Sequence, residues 1–303
     1  MGFDFGKEIM EGLRAFKDGE MLKNAAFYLV AELAIFAMLV AVFFVVGAAT
    51  GSFDTFMALV KDETAANLDL GKMYMLIVLM IVSFIVAMVA VALIRAYFAM
   101  RFYLRSFSLS GFAKPKKSQS FVDFILMGIR WYLVKLFTWY EKRILAVWAG
   151  CYILALIASV LALAFKESGM ALPLIVISLG LATIGILVHL IGILYHEFRL
   201  ELAPLYFLQF GMGARESLLE SWRKMEGNVI EMAGITLILG VVQLIIAVPV
   251  IFIAFLVGLA LPIGDSIISM LAAPFLSILS FKYLAQVYRY FEKKGKAGKP
   301  AEK

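Results

Sequence analysis

Runs of about 20 consecutive apolar residues recur along the chain, and they restrict it to one kind of fold. A helix rises ~1.5 Å per residue, so each run matches a bilayer core of ~30 Å. The runs cover residues 25–47, 73–95, 144–165, 171–195, 229 to about 260, and 266–288. Over 303 residues the hydrophobic share is 63%, a balance that soluble domains do not have. The expected fold is all-α: a polytopic membrane protein with six transmembrane helices arranged as three hairpins. No polar stretch exceeds roughly 50 residues, so residues 1–303 read as a single membrane domain. The first run is 23 residues long and follows a charged stretch, which favours a retained helix over a cleaved signal peptide.

Charge sets the expected orientation. Lys and Arg total 25 in residues 1–24, the second and fourth connections and the C-terminal end, against three (Lys61, Lys72, Lys166) on the opposite side. The positive-inside rule then puts both termini in the cytoplasm, with the plasma membrane as the expected location. The net charge of +6 reads as topology plus attraction to anionic headgroups rather than to nucleic acid, for which no recognition motif is present. Residues 292–303 read as a basic flexible tail. Pro249 predicts a kink or an early helix end near Val248, and Pro274 a kink in the sixth span.

A short charged pattern appears before each pair of runs. In 217–226, Leu218, Leu219, Trp222 and Met225 fall on one helical face, and Glu220 is placed to pair with Lys224. Gly227 is suited to end that helix, and Asn228 with Glu231 to cap the next span. Ile9, Met10, Leu13 and Phe16 repeat the spacing, and residues 125–132 align with 9–16. The alignment superposes Arg14, Arg130 and Arg223. The chain therefore reads as three units (about 1–108, 118–207 and 211–303), each an amphipathic interfacial helix on the cytoplasmic side followed by a hairpin.

The segment 202–228 carries Pro204 and Tyr206 at the end of the fourth span, Ser221-Trp222-Arg223, and Gly227-Asn228 opening the fifth. There the chain resembles the six-helix membrane domains of membrane-anchored glycerophosphodiester phosphodiesterases and their stand-alone relatives. Residues 22–29 look like the entry to that group's first span, with Ala25 where the group usually has proline. The resemblance implies the six-helix fold. It carries no hydrolytic function, because the soluble barrel and its catalytic residues are absent from these residues.

No catalytic triad, phosphate loop, zinc motif or Cys/His cluster occurs; Cys151 stands alone in an apolar run. The expectation is no enzyme, no cofactor and no metal. Ionisable residues inside spans are costly and more informative. Glu32 lies ~10 Å into its span, and His189 and Lys282 ~9 Å into theirs. With Arg95 and Glu231 they form the candidate intramembrane polar cluster, with Glu32–Lys282 the best depth match. Gly180, Gly185, Gly192, Gly234 and Gly240 suit close helix packing. The expected function is a non-enzymatic scaffold, or a module that binds lipid, a protein partner or another copy of itself. The alternatives are a permease subunit of an ATP-driven exporter, needing a separate ATPase, or a carrier or insertion factor with a polar vestibule open to the cytoplasm.

Overall fold

The computed structural model describes residues 2–49, 51, 70–112, 115, 119–167, 169–260 and 264–297, and every regular element among them is helical. In chain order these are α1 (Phe5–Arg14), a 3-10 turn (Ala15–Lys17), α2 (Gly19–Ala49), α3 (Leu70–Leu109), α4 (Phe121–Leu136) and α5 (Lys142–Ala164). Then follow α6 (Ala171–Leu200), α7 (Ala203–Leu208), α8 (Ala214–Lys224), α9 (Val229–Ala260) and α10 (Gly264–Ala297).

Five segments are long and apolar enough to cross a membrane: Gly19–Ala49, Met80–Leu109, Lys142–Ala164, Ala171–Leu208 and Val229–Val257. Only 6% to 17% of each apolar window is buried inside the protein. Large apolar side chains stand outward, among them Val45 (67%), Phe84 (65%), Leu163 (74%) and Leu237 (70%). Exposed apolar surface on this scale is not tolerated in water, and a bilayer covers it. The chain is a multi-pass membrane protein. The expected sixth span falls within α10, which is not among the five; most side chains of its first turns lie outside the described residues.

Two compact units make up the chain. One comprises residues 4–110 and 241–284, the other 1–3, 111–240 and 285–303. Helices α9 and α10 each contribute to both.

In the first unit α2 packs antiparallel to α3. Asp18 meets Arg105, Tyr28 stacks on Phe98 with centroids 5.2 Å apart, and Glu32 meets Arg95, an order that runs in opposite directions along the two helices. Met21, Ala25, Tyr28, Phe98 and Phe102 form the apolar centre, joined by Ala15 and by Ile278 of α10. Gly12 of α1 lies against Tyr283 so closely that a Cβ there would stand 2.1 Å from its Cε1.

In the second unit α5 and α6 pack through small residues. Ala155, Ala158 and Ala162 are buried, and Ser178 Oγ donates to the Ala155 carbonyl at 2.9 Å. A Cβ on Gly185 would come 3.1 Å from Cys151 Cβ, and one on Gly192 would come 2.6 Å from Ile144 Cγ2. Small side chains let helix backbones approach closely where lipid supplies no hydrophobic drive. Of the five glycines read as packing residues only these two do so; Gly180, Gly234 and Gly240 have nothing within 4 Å of a Cβ. Glycine composition alone does not tell which face meets a neighbour.

The three predicted short helices exist as α1, α4 and α8. Each ends one turn before a long helix, through residues 15–18, 137–141 and 225–228. Asp4 and Ser120 cap α1 and α4 by accepting the backbone N–H groups of Lys7 and Asp123. Gly213 N–H donates to Glu216 at the start of α8.

Four local expectations are corrected. Helix α9 does not end near Val248 but runs through Pro249 to Ala260, as long apolar helices allow when neighbours satisfy the freed carbonyl. The basic tail is helical as far as Ala297; residues 298–303 lie outside the described residues. Glu220 pairs with Arg223 at 2.5 Å instead of Lys224. Asn228 donates its amide to the Lys224 and Glu226 carbonyls and accepts from Lys294, so it does not form the predicted capping box. Gly227, at φ 74°, makes the left-handed turn that ends the α8 segment.

Candidate functional site

The five residues of the polar cluster sit in separate local networks. Glu32 is buried (4% exposed) and accepts from Arg95 Nε at 3.1 Å, while the Arg95 side chain is 62% exposed. The α2–α3 register brings these two together, so Lys282 is not the partner that depth alone suggested. Lys282 is buried and donates to Ser110 Oγ at 2.9 Å. Glu231 accepts from Tyr290 Oη at 2.6 Å and forms an ion pair with Lys294. That bond to a carboxylate pushes the Tyr290 phenol up to about 12.

His189 Nε2 donates to the Leu136 carbonyl at 2.7 Å, and its ring stacks on Trp148 at 4.3 Å. Trp148 donates in turn to Thr138 Oγ1 at 2.9 Å. Thr138 is the one described non-glycine residue at positive φ (46°), and it is fully buried. A β-branched residue pays strain there and persists because its surroundings fix it. Its methyl is one of the two groups that crowd Gly192.

One turn further along α6, His196 is fully buried, with Nδ1 donating to the Gly192 carbonyl at 2.8 Å and its ring 4.7 Å from Trp222. Arg199 lies over the Trp222 ring at 4.1 Å and donates from Nε and Nη2 to the Trp222 carbonyl. Ser221 Oγ donates to the Arg199 carbonyl and accepts from the Leu202 N–H. Leu218, also on α8, is buried against Val134, Leu200 and Ala203. The whole of α7 is buried. Residues 196–222 thus form a tightly bonded joint between α6, α7 and α8. Trp222 serves that joint rather than standing free on the helix surface. His189 and His196, seven residues apart on one face of α6, each pack on a tryptophan from another helix.

Arg14, Arg130 and Arg223 are all exposed. Burial on their helices is uneven. Leu218 and Met225 are buried while Leu219 is 41% exposed; on α1, Met10 and Leu13 are exposed and Gly12 buried.

Two cavities lie outside the polar networks. One, of about 560 Å³, lies between α4 and residues 207–214 and includes Asp123, Arg130 and Phe207. The other, of about 470 Å³, lies between the start of α2 and the end of α3. Beside it Asp18 accepts from Arg105 Nε at 3.0 Å and Nη2 at 2.6 Å, and Glu20 pairs with Arg105 Nη1 at 3.0 Å. Asp18 also accepts the Met21 N–H at the start of α2. The Arg105 hydrogen bonds hold the Asp18 carboxyl below its ordinary range, with the Met21 N–H adding to the effect against partial burial. Neither cavity is lined by Glu32, Arg95, His189, Glu231 or Lys282. Among the described residues no group of three or more His, Cys, Asp or Glu could hold a metal ion.

Comparison of the chain with family profiles, curated proteins and solved structures gives no match.

Proposed function

We propose that the protein is a non-enzymatic membrane module of six transmembrane helices in three hairpins, with both termini in the cytoplasm of a plasma-membrane protein. In this reading α1, α4 and α8 form a three-part collar at the cytoplasmic rim. The collar binds anionic lipid headgroups, a protein partner or a second copy of the chain. The resemblance to stand-alone six-helix relatives of the phosphodiesterase anchors supports the same architecture.

The supporting observation is the local closure of the intramembrane ionisable groups. A carrier needs such groups to meet substrate in a hydrated space. Here Glu32, Glu231, His189 and Lys282 each bond to a named neighbour instead. Arg14, Arg130 and Arg223 are exposed on three short helices, and Arg223 also pairs with Glu220, which supports placing basic side chains where headgroups would lie.

Two measurements test the proposal. Replacing Cys151 with alanine gives a cysteine-free chain, into which single cysteines at positions 2, 166 and 295 report sidedness by membrane-impermeant labelling. Positions 2 and 295 should label from the cytoplasm and 166 from outside. Purification with retained native lipid should then show enrichment of anionic over zwitterionic lipid, or a stoichiometric protein partner. A chain that is stable alone, with neither, refutes the module reading.

A further inference from the structure

The cavity between α2 and α3 has the composition of an anion site. Lys23, Asn24 and Phe27 line it from α2, and Arg101, Arg105 and Ser108 from α3. On α3 the spacings of four, three and seven residues place the set on one face, and on α2 Phe27 follows Lys23 by four residues and Asn24 by three. The facing acid is Glu20, already engaged by Arg105 together with Asp18.

The three cations are held differently. Arg105 is fixed by two carboxylates and forms a rigid wall. Lys23 and Arg101 form no ion pair among the described residues, although Glu20 lines the same cavity. Lys23 Nζ lies 5.7 Å from the Phe27 ring centroid and Arg101 Cζ 5.4 Å from that of Tyr97. Such contacts are weak at exposed positions, ~0.5–1 kcal/mol, so both charges remain free to meet an anion. Asn24 and Ser108 add neutral donors. Two unpaired cations and two amide or hydroxyl donors around about 470 Å³ suit a tetrahedral oxyanion with several acceptor oxygens.

The surroundings select the source of that anion. Phe27 (51% exposed) continues to Val30 on α2, and Tyr97 to Leu93 on α3, as outward apolar side chains within two membrane-crossing segments. A ligand bound by its phosphate at Lys23 and Arg101 would lay an apolar tail along these surfaces. We propose that this cavity is a binding site for the phosphate-bearing headgroup of an anionic glycerophospholipid, with Lys23 and Arg101 as its direct ligands and Arg105 as its fixed wall. The proposal rests on the lipid-binding reading above and assigns it a place that the three-helix collar does not include.

Native mass spectrometry of the full chain in detergent tests it, with dioctanoyl phosphatidic acid, dioctanoyl phosphatidylcholine and inorganic phosphate as probes. Wild type should bind one phosphatidic acid in preference to phosphatidylcholine. The K23Q/R101Q variant should bind it at least about tenfold more weakly, and the charge-preserving K23R/R101K variant within a few-fold of wild type. The collar variant R130Q/R223Q should retain this site. Unchanged binding by K23Q/R101Q overturns the site while leaving the collar reading intact. Loss of binding in R130Q/R223Q alone moves the lipid to the collar, again overturning the site. Displacement of the lipid by millimolar inorganic phosphate, with the same dependence on Lys23 and Arg101, makes it a soluble-anion site and overturns the lipid assignment. Absence of any preference for anionic lipid in wild type overturns both readings.

Discussion

Gly192→Ala is the sharpest test of the α5–α6 packing. The new methyl carbon would stand 2.6 Å from Ile144 Cγ2 and 2.8 Å from Thr138 Cγ2. Carbon atoms in contact sit near 3.5–4.0 Å, so about 1 Å must open on two sides at once. Both neighbours are β-branched and stiff at χ1. Thr138 is further held by the Trp148 indole and by its unusual backbone angle. Neither can yield as a flexible chain end would, and overpacking of this kind costs ~1–3 kcal/mol. Alanine's better helix propensity returns at most ~1 kcal/mol. The control is Gly180→Ala on the same helix, where a Cβ meets nothing within 4 Å and only the propensity gain operates. Thermal unfolding in detergent, followed by tryptophan fluorescence, should place G192A below wild type and G180A at or above it. At roughly 2–4 °C per kcal/mol the gap between the two variants should reach several degrees. Trp148 bonds to Thr138, so its emission should also shift in G192A. If G192A melts with or above G180A, the packing described for α5 and α6 is wrong.

Three further outcomes follow from the polar contacts. Arg95→Gln should destabilise the protein more than Glu32→Gln, by ~3 kcal/mol or more. It removes the counter-charge of a buried carboxylate, whereas an unpartnered Arg95 can extend to the headgroups; a reversed order of melting temperatures refutes the pairing. Asp18 has a lowered folded-state pKa, so its contribution is fully present above its ordinary value of 3.8 and is lost as pH falls through the folded value. Asp18→Asn should therefore lower stability at neutral pH and flatten the acid limb of the stability profile between about pH 5 and 2; an unchanged limb counts against the Arg105 contact. Arg199→Lys should cost ~1–2 kcal/mol, because lysine cannot both stack on Trp222 and donate twice to its carbonyl, and equal unfolding curves would show that the joint does not depend on the guanidinium.

Legibility in the sequence followed the range of the interaction. The long helices were legible because a run of apolar residues is itself the lipid-facing surface. The short helices α1, α4 and α8 were legible from periodicity, and the turn at Gly227 from its residue type. Pairings were not. Glu32 was recognised as buried from its depth, but Arg95 becomes its partner only through the antiparallel register of α2 and α3, set by contacts such as Tyr28 on Phe98. Pro249 signalled a kink or an early helix end, and the early end did not occur because the local rule knows nothing of the apolar length around it. The α2–α3 cavity was missed because Lys23, Arg101 and Arg105 were counted toward orientation as a total. The four-residue spacing of Arg101 and Arg105, which puts them on one face of α3, was a signal that charge counting discards.

Helix α10 places the cost of assembly at a particular moment. Its residues contribute to both compact units, through Ile278, Lys282 and Tyr283 in one and Tyr290 and Lys294 in the other. The Arg199–Trp222 joint closes across 23 residues, whereas the Lys282–Ser110 bond spans 172. During synthesis the α6–α8 joint can therefore lock soon after it emerges, while Ser110 waits for 172 further residues. Until α10 folds, neither unit has its full set of partners. A nascent chain stalled before this helix would leave the partners of Ile278, Lys282, Tyr290 and Lys294 exposed.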